Sequence, residues 1–257
     1  MGVMIKTDKG EIRGSEEGGL LVFRGIPYAA APTGELRWQP PQPHPSWDEV
    51  LETTSFGNQA PQNATPMDGM LGGSAEPAAE GEDCLFLNVW TPGTDNAERP
   101  VMFWIHGGGF TIGAGSQPLY DGQYLAREGD VVVVTINYRM GALGFLNLKE
   151  ATGGQIGATG NEGLLDQVAA LEWVRDNIAA FGGDPTNVTI FGESAGGMSV
   201  GCLLAMPSAE GLFHKAIPQS GACHTALSKS EALKVAETAM ELLETDDPDA
   251  LMGLSEA

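Results

Sequence analysis

At 257 residues, 42% hydrophobic and 18% charged, the chain is long enough to bury a full core as one globular domain, and its 36 glycines and 16 prolines follow no repeat. Thirteen basic residues against 34 acidic ones give a formal charge of −21, which repels polyphosphates and anionic membrane surfaces and sets nucleic acid aside as a partner. No run approaches the ~18 apolar residues of a membrane span, no apolar leader opens the chain, and three cysteines (Cys84, Cys202, Cys223) show no metal-ligand spacing, so a cytoplasmic protein with free thiols and without metal, cofactor or membrane partner is expected.

Residues 1–30 predict an antiparallel entry, with strands at Val3 to Thr7, Glu11 to Gly14 and Leu20 to Pro27 separated by Asp8-Lys9-Gly10 and Glu16-Glu17-Gly18-Gly19. Residues 31–84 hold eight of the 16 prolines and little periodicity, which predicts a long surface excursion, with the small-residue stretch Gly69 to Gly81 as a mobile loop. From 85 to 257 apolar strands alternate with helical segments: Leu85 to Trp90, Val101 to His106, Val131 to Tyr138, Val188 to Phe191 and Ala216 to Gln219. That alternation predicts an α/β domain with a mostly parallel sheet. One helix is expected from an Asn161 cap, with Leu164, Val168, Leu171, Val174 and Ile178 on its inner face, ending at Gly182-Gly183.

Strand Val188-Thr189-Ile190-Phe191 leads into Gly192-Glu193-Ser194-Ala195-Gly196-Gly197 and then a helical stretch, Met198 to Met206. Strand, sharp turn and helix are the context in which a serine is strained outward as a nucleophile, and the positions two before and two after it must be nearly free of side chains. A second element accompanies it. Strand Val101 to Ile105 ends in His106-Gly107-Gly108-Gly109-Phe110, glycines whose N–H groups, with that of Ala195, can receive a tetrahedral oxyanion.

These motifs belong to a longer set: Glu82-Asp83-Cys84-Leu85-Phe86-Leu87-Asn88-Val89, Asn137-Tyr138-Arg139 with Gly144-Phe145, and Phe181-Gly182-Gly183-Asp184-Pro185 before the serine turn. In this order they resemble the type-B carboxylesterase family, which includes bacterial para-nitrobenzyl esterases and the cholinesterases. The resemblance implies an α/β-hydrolase fold acting on small uncharged carboxylic esters. It further implies Ser194 as nucleophile, Gly108, Gly109 and Ala195 as oxyanion donors, Glu193 as a buried acidic neighbour, and Ser220 as the hydroxyl that holds the triad acid. Glu193 as a structural carboxylate and Ser220 as a plain strand-end hydroxyl remain alternatives, as does a non-catalytic scaffold on the same fold.

The chain departs from the family in three places. The family places its acid and then its histidine far downstream of the serine, but only 63 residues follow Ser194 here. Within them His214 and His224 precede Asp246, Asp247 and Asp249, so the chain is expected to be the N-terminal part of a longer esterase, inactive without its C-terminal half. On that expectation Ala216 to Gln219, Leu233, Ala236, Met240 and Leu243 are exposed; a helix spans Ser228 to Glu244 and another begins at Asp249 without a stop signal. Ala60 stands where the family carries the cysteine that pairs with Cys84, predicting a free Cys84 thiol. No tryptophan lies between Trp47 and Trp90, which disfavours a choline site.

Overall fold

The computed structural model describes residues 2–63, 79–221 and 226–255. Its strands are β1 (Val3–Lys6), β2 (Glu11–Glu17), β3 (Leu20–Pro27), β4 (Leu51–Glu52), β5 (Phe86–Thr91), β6 (Arg99–Ile105), β7 (Val132–Ile136), β8 (Gly183–Glu193) and β9 (Lys215–Gln219). The helices are α1 (Gln123–Gly129), α2 (Gly141–Phe145), α3 (Leu148–Ala151), α4 (Glu162–Asn177), α5 (Ala195–Leu203), α6 (Lys229–Leu242) and α7 (Pro248–Met252).

The strands form one sheet in the order β1-β2-β3-β5-β7-β6-β8-β9, with β4 beside β2. β7, β6, β8 and β9 run parallel, as the alternation of strands and helices predicts. The antiparallel region extends past residue 30, because β5 pairs antiparallel with both β3 and β7 and so turns one half of the sheet into the other. Val101, Phe103 and Ile105 of β6 and Val132, Val134 and Ile136 of β7 are wholly buried, the fate of strands covered on both faces. The architecture is that of an α/β hydrolase.

Several boundaries differ from expectation for local reasons. α4 begins next to Asn161, but the Asn161 side chain makes no capping bond. Glu162 holds the start instead, its buried carboxylate accepting from the Thr159 and Gly160 N–H groups at 2.8 and 2.9 Å. Val168, Leu171, Val174 and Ile178 face the core, and a short 3-10 turn, Ile178–Phe181, follows before Gly182 at φ 76°. α5 starts three residues earlier than read, directly at the serine turn. α6 opens on a capping box between Ser228 and Glu231.

The outer face is only partly as expected. Ile217 on β9 is 45% exposed and Leu243 46%, but Ala236 is fully buried against Trp38, Leu148 and Leu251. Leu233 and Met240 are half-buried. α7 does stop, at Gly253. Within 31–84 the chain is less irregular than its prolines suggest: Thr53 exchanges backbone bonds with Arg13 and Arg24, laying β4 along β2. The stretch 64–78, and with it most of the expected mobile loop, lies outside the described residues, as do Cys223 and His224. Among the described residues no helix is long and apolar enough to cross a membrane and no cluster suited to a metal ion occurs.

Two buried ion pairs fasten the periphery. Arg139 meets Asp166 with Nε and Nη2 donating at 2.8 and 2.7 Å, and burial pushes the Asp166 carboxyl up against the pull of the guanidinium. Arg37 grips Glu82 bidentately and donates from Nη1 to the Met252 and Leu254 carbonyls at 2.8 and 2.7 Å, tying α7 to the first proline-rich segment.

Candidate functional site

β8 ends at Glu193 and α5 begins at Ala195, so Ser194 makes the turn between them. Its backbone stands at φ 54° and ψ −119°, a conformation that costs a non-glycine residue about 1–3 kcal/mol. Two bonds hold it there: the Ser194 N–H donates to the Gln219 carbonyl of β9, and its own carbonyl accepts from Met198, each at 2.9 Å. Packing explains the flanking glycines. A Cβ on Gly192 would lie 2.6 Å from the Ile105 carbonyl oxygen, and one on Gly196 only 2.0 Å from the same atom. The end of β6 is therefore pressed under the turn, and only glycine fits at either position.

Past Ile105 the chain enters the glycine loop. Gly108 and Gly109 take φ 105° and 61°, and a Cβ on Gly108 would meet the Ile112 carbonyl oxygen at 2.0 Å. The loop abuts the turn: a Cβ on Gly107 would be 3.3 Å from the Ser194 Cβ and 2.7 Å from the Glu193 carbonyl oxygen. The N–H groups of Gly108, Gly109 and Ala195 donate to no described group. Ala195 opens α5, whose first-turn N–H groups have no carbonyl partner within the helix and favour negative charge. The loop and turn are thus in contact, and both offer unengaged donors.

Beneath the loop lies a support that sequence reasoning passed over. His106 is buried and stacks on Tyr138 with ring centroids 4.4 Å apart, while the Tyr138 hydroxyl donates to the His106 carbonyl at 2.9 Å. The His106 Nδ1 lies 2.8 Å from the Gly107 carbonyl, which can only accept, so Nδ1 carries the proton. Burial lowers its pKa from 6.5 to about 4, keeping the ring neutral. Gln62 braces the far end of the loop, accepting from the Gly113 N–H at 2.7 Å and donating to its carbonyl at 3.1 Å. His106 was visible in the sequence as the first residue of the glycine motif; nothing marked Gln62.

The remaining site residues divide. Glu193 is exposed, not buried: it closes β8, paired with Gln219 of β9 and with its carboxylate beside Gly107. Its charge, after burial, helps raise the Tyr120 phenol. Ser220 follows β9 at φ 50°, exposed, one residue beyond the carbonyl that holds Ser194. His214 sits at the other end of the sheet, its N–H donating to the Val188 carbonyl at 2.8 Å and its Nδ1 accepting the Val188 N–H at 3.1 Å. Val188 precedes Ser194 by six residues of extended chain, about 20 Å at ~3.3 Å per residue. Glu210 does precede His214 in the chain, so an acid-then-histidine order exists, but this separation removes it from the turn. Cys84 is a free, buried thiol beside buried Ala60, as expected.

A parallel sheet whose strand-to-helix turn strains one serine outward beside a glycine loop defines an α/β hydrolase. The sequence profile of the Carboxylesterase family matches residues 2–251, and the chain belongs to that family. It is 49% identical over 240 residues to a para-nitrobenzyl esterase of Bacillus subtilis, covering 93% of this chain and 48% of that protein. A cocaine esterase of Oryctolagus cuniculus is 48% identical over 225 residues, covering 83% of this chain and 41% of the relative. Among solved structures, a PNB esterase superposes with a TM-score of 0.92 at 46% identity, covering 98% of this chain and 51% of the other. A carboxylesterase of Geobacillus stearothermophilus gives 0.88 at 48% identity, with 98% and 51% covered. The chain spans about half the length of the relatives it matches.

Proposed function

We propose that this chain carries the nucleophile half of a carboxylic ester hydrolase. The observation that supports it most is Ser194, held at φ 54° against a glycine loop whose N–H groups have no partner among the described residues. A base takes the Oγ proton as Oγ attacks the ester carbonyl, forming a tetrahedral intermediate. Its oxyanion is received by the N–H groups of Gly108, Gly109 and Ala195, preorganised donors of the kind worth about 10²–10³ in kcat each. The alcohol leaves with a proton, and water releases the acid from the acyl-enzyme.

On this reading the base and its acid come from chain beyond Ala257, as the family's order implies; among the described histidines His214 is remote, His106 is a neutral buried strut and His44 packs on Trp47. Ser220, beside the turn, is suited to hold that acid, and Glu193 adds negative charge at the mouth. Substrates are small to medium uncharged esters, since a charge of −21 disfavours anions. The free Cys84 thiol fits a reducing cytoplasm.

The test is labelling by a fluorophosphonate. In the longer protein the probe should attach to Ser194, and Ser194→Ala should abolish the attachment; attachment elsewhere overturns the reading. The 257-residue chain alone should hydrolyse para-nitrophenyl acetate no faster than its Ser194→Ala variant, whereas a Ser194-dependent kcat near ~10 s⁻¹ would require a base within these residues.

A further inference from the structure

A cavity of about 510 Å³ lies behind the glycine loop, between the α2–α3 turn, the start of α4, Cys202 on α5 and the start of α6. Ser194, Gly108, Gly109 and Ala195 do not line it, so it is separate from the site described above. Its size falls within the roughly 300–1,000 Å³ of small-molecule sites. Phe110 and Phe145 form one wall, with ring centroids 4.8 Å apart, and Leu164 and Leu227 add aliphatic surface. This side of the cavity is apolar.

The charged groups at this cavity lean positive. Lys149 and Lys229 stand on its rim, where Glu150 approaches Lys229 at 3.5 Å and Lys149 has no ion pair among the described residues. Two cations and one anion are an excess of positive charge in a chain with 13 basic and 34 acidic residues. Asn147 lines the same cavity with an amide that makes no hydrogen bond to any described group, its Oδ1 being buried and unpartnered. That Oδ1 can only accept; it is the Nδ2 of the same amide, likewise without a bond to any described group, that can donate to an anion beside Lys149.

We propose that this cavity binds a medium-length aliphatic or aryl carboxylate, its hydrocarbon against Phe110, Phe145 and Leu164 and its carboxylate between Lys149 and Asn147. The binding stands apart from the esterase reading, and Phe110 makes it felt there. Phe110 follows Gly109 directly at φ 64°, and its carbonyl accepts the Gly141 N–H at 2.7 Å, so a ligand packed on its ring bears on the glycine loop.

The experiment is calorimetric titration with decanoate, and with decanol as the uncharged comparator. Decanoate should bind the protein and bind equally well after a fluorophosphonate has blocked Ser194. Lys149→Glu should weaken decanoate at least tenfold while leaving decanol unchanged, and Leu164→Trp should abolish both; thermal melts establish that each variant is folded. Should Leu164→Trp fail to fold, Cys202→Trp fills the same space and carries the same expectation. No binding, binding indifferent to both Lys149→Glu and the filling variant, or binding lost when Ser194 is blocked would each overturn the assignment.

Discussion

Replacing Gly196 by alanine puts a methyl group where the structure has a carbonyl. The added Cβ would lie 2.0 Å from the Ile105 oxygen, 2.8 Å from the Ile105 carbonyl carbon and 2.9 Å from the His106 oxygen. Real Cβ contacts essentially never fall below 3.0 Å, so turn and strand must part by about 1 Å. All three atoms are backbone and cannot swing aside. Ile105 is paired with Gly192 at the end of the β6–β8 ladder, so the movement carries the glycine loop away from Ser194. Overpacking of this kind costs about 1–3 kcal/mol, while a misplacement of ~1 Å at a reacting centre can cost ~10²-fold in rate. Labelling of Ser194 by a fluorophosphonate in the longer protein should therefore slow about 100-fold, with a loss of only several degrees in Tm at ~2–4 °C per kcal/mol. Gly211→Ala is the control, since φ is 77° there but no atom lies within 4 Å. It should cost stability alone. If Gly196→Ala labels at the wild-type rate, the close packing of β6 under the turn is not what sets the site.

The neutral His106 predicts a pH dependence of stability. Between its lowered pKa of about 4 and the ordinary 6.5 the unfolded chain binds a proton that the folded chain refuses. Stability is therefore full above 6.5 and falls by about 3 kcal/mol as pH drops towards 4, which urea midpoints at pH 7 and 4.5 should read and His106→Gln should flatten. Asp166→Ala leaves the Arg139 guanidinium buried without its partner, and about 3–5 kcal/mol should be lost by thermal melting; Arg139→Met with Asp166→Leu should recover much of it. Burial pushes the Cys84 thiol far above its usual range. Cys84 should resist a maleimide in the folded protein and react once it is unfolded, without any reductant, and a Cys84 disulfide found by peptide mapping would contradict this.

What could be read from the sequence was whatever depends on neighbours along the chain. Gly192, Ser194 and Gly196 mark the turn because strain and steric crowding there are local, and strand, turn and helix follow within twenty residues. The glycine loop was legible for the same reason. The antiparallel course of β5 was not, because its partners β3 and β7 are set by the tertiary fold and leave no mark on Phe86 to Thr91. Ala236 reads as an outer-face residue of an amphipathic helix until Trp38, nearly 200 residues away, is found against it. Glu193 differs from expectation for the same reason: an acidic residue beside the serine turn suggests burial, yet its exposure is set by what packs over the end of β8, which Glu193 and its sequence neighbours do not encode. Gln62 reaches Gly113 from within the proline-rich excursion, a contact no periodicity encodes.

The grip of Arg37 on the Met252 and Leu254 carbonyls joins positions 215 and 217 residues apart. Closing so long a stretch of flexible chain costs roughly 5 kcal/mol of entropy by the logarithmic dependence on loop length, and the Arg37–Glu82 pair must form near the start of the chain to present the hand that closes it. This clasp can then be made only after the sheet between has shortened the distance, which places the docking of α7 late in folding. It should also be among the first contacts released, so amide exchange should begin at α7 and spread into α6 well before β6 and β7 open.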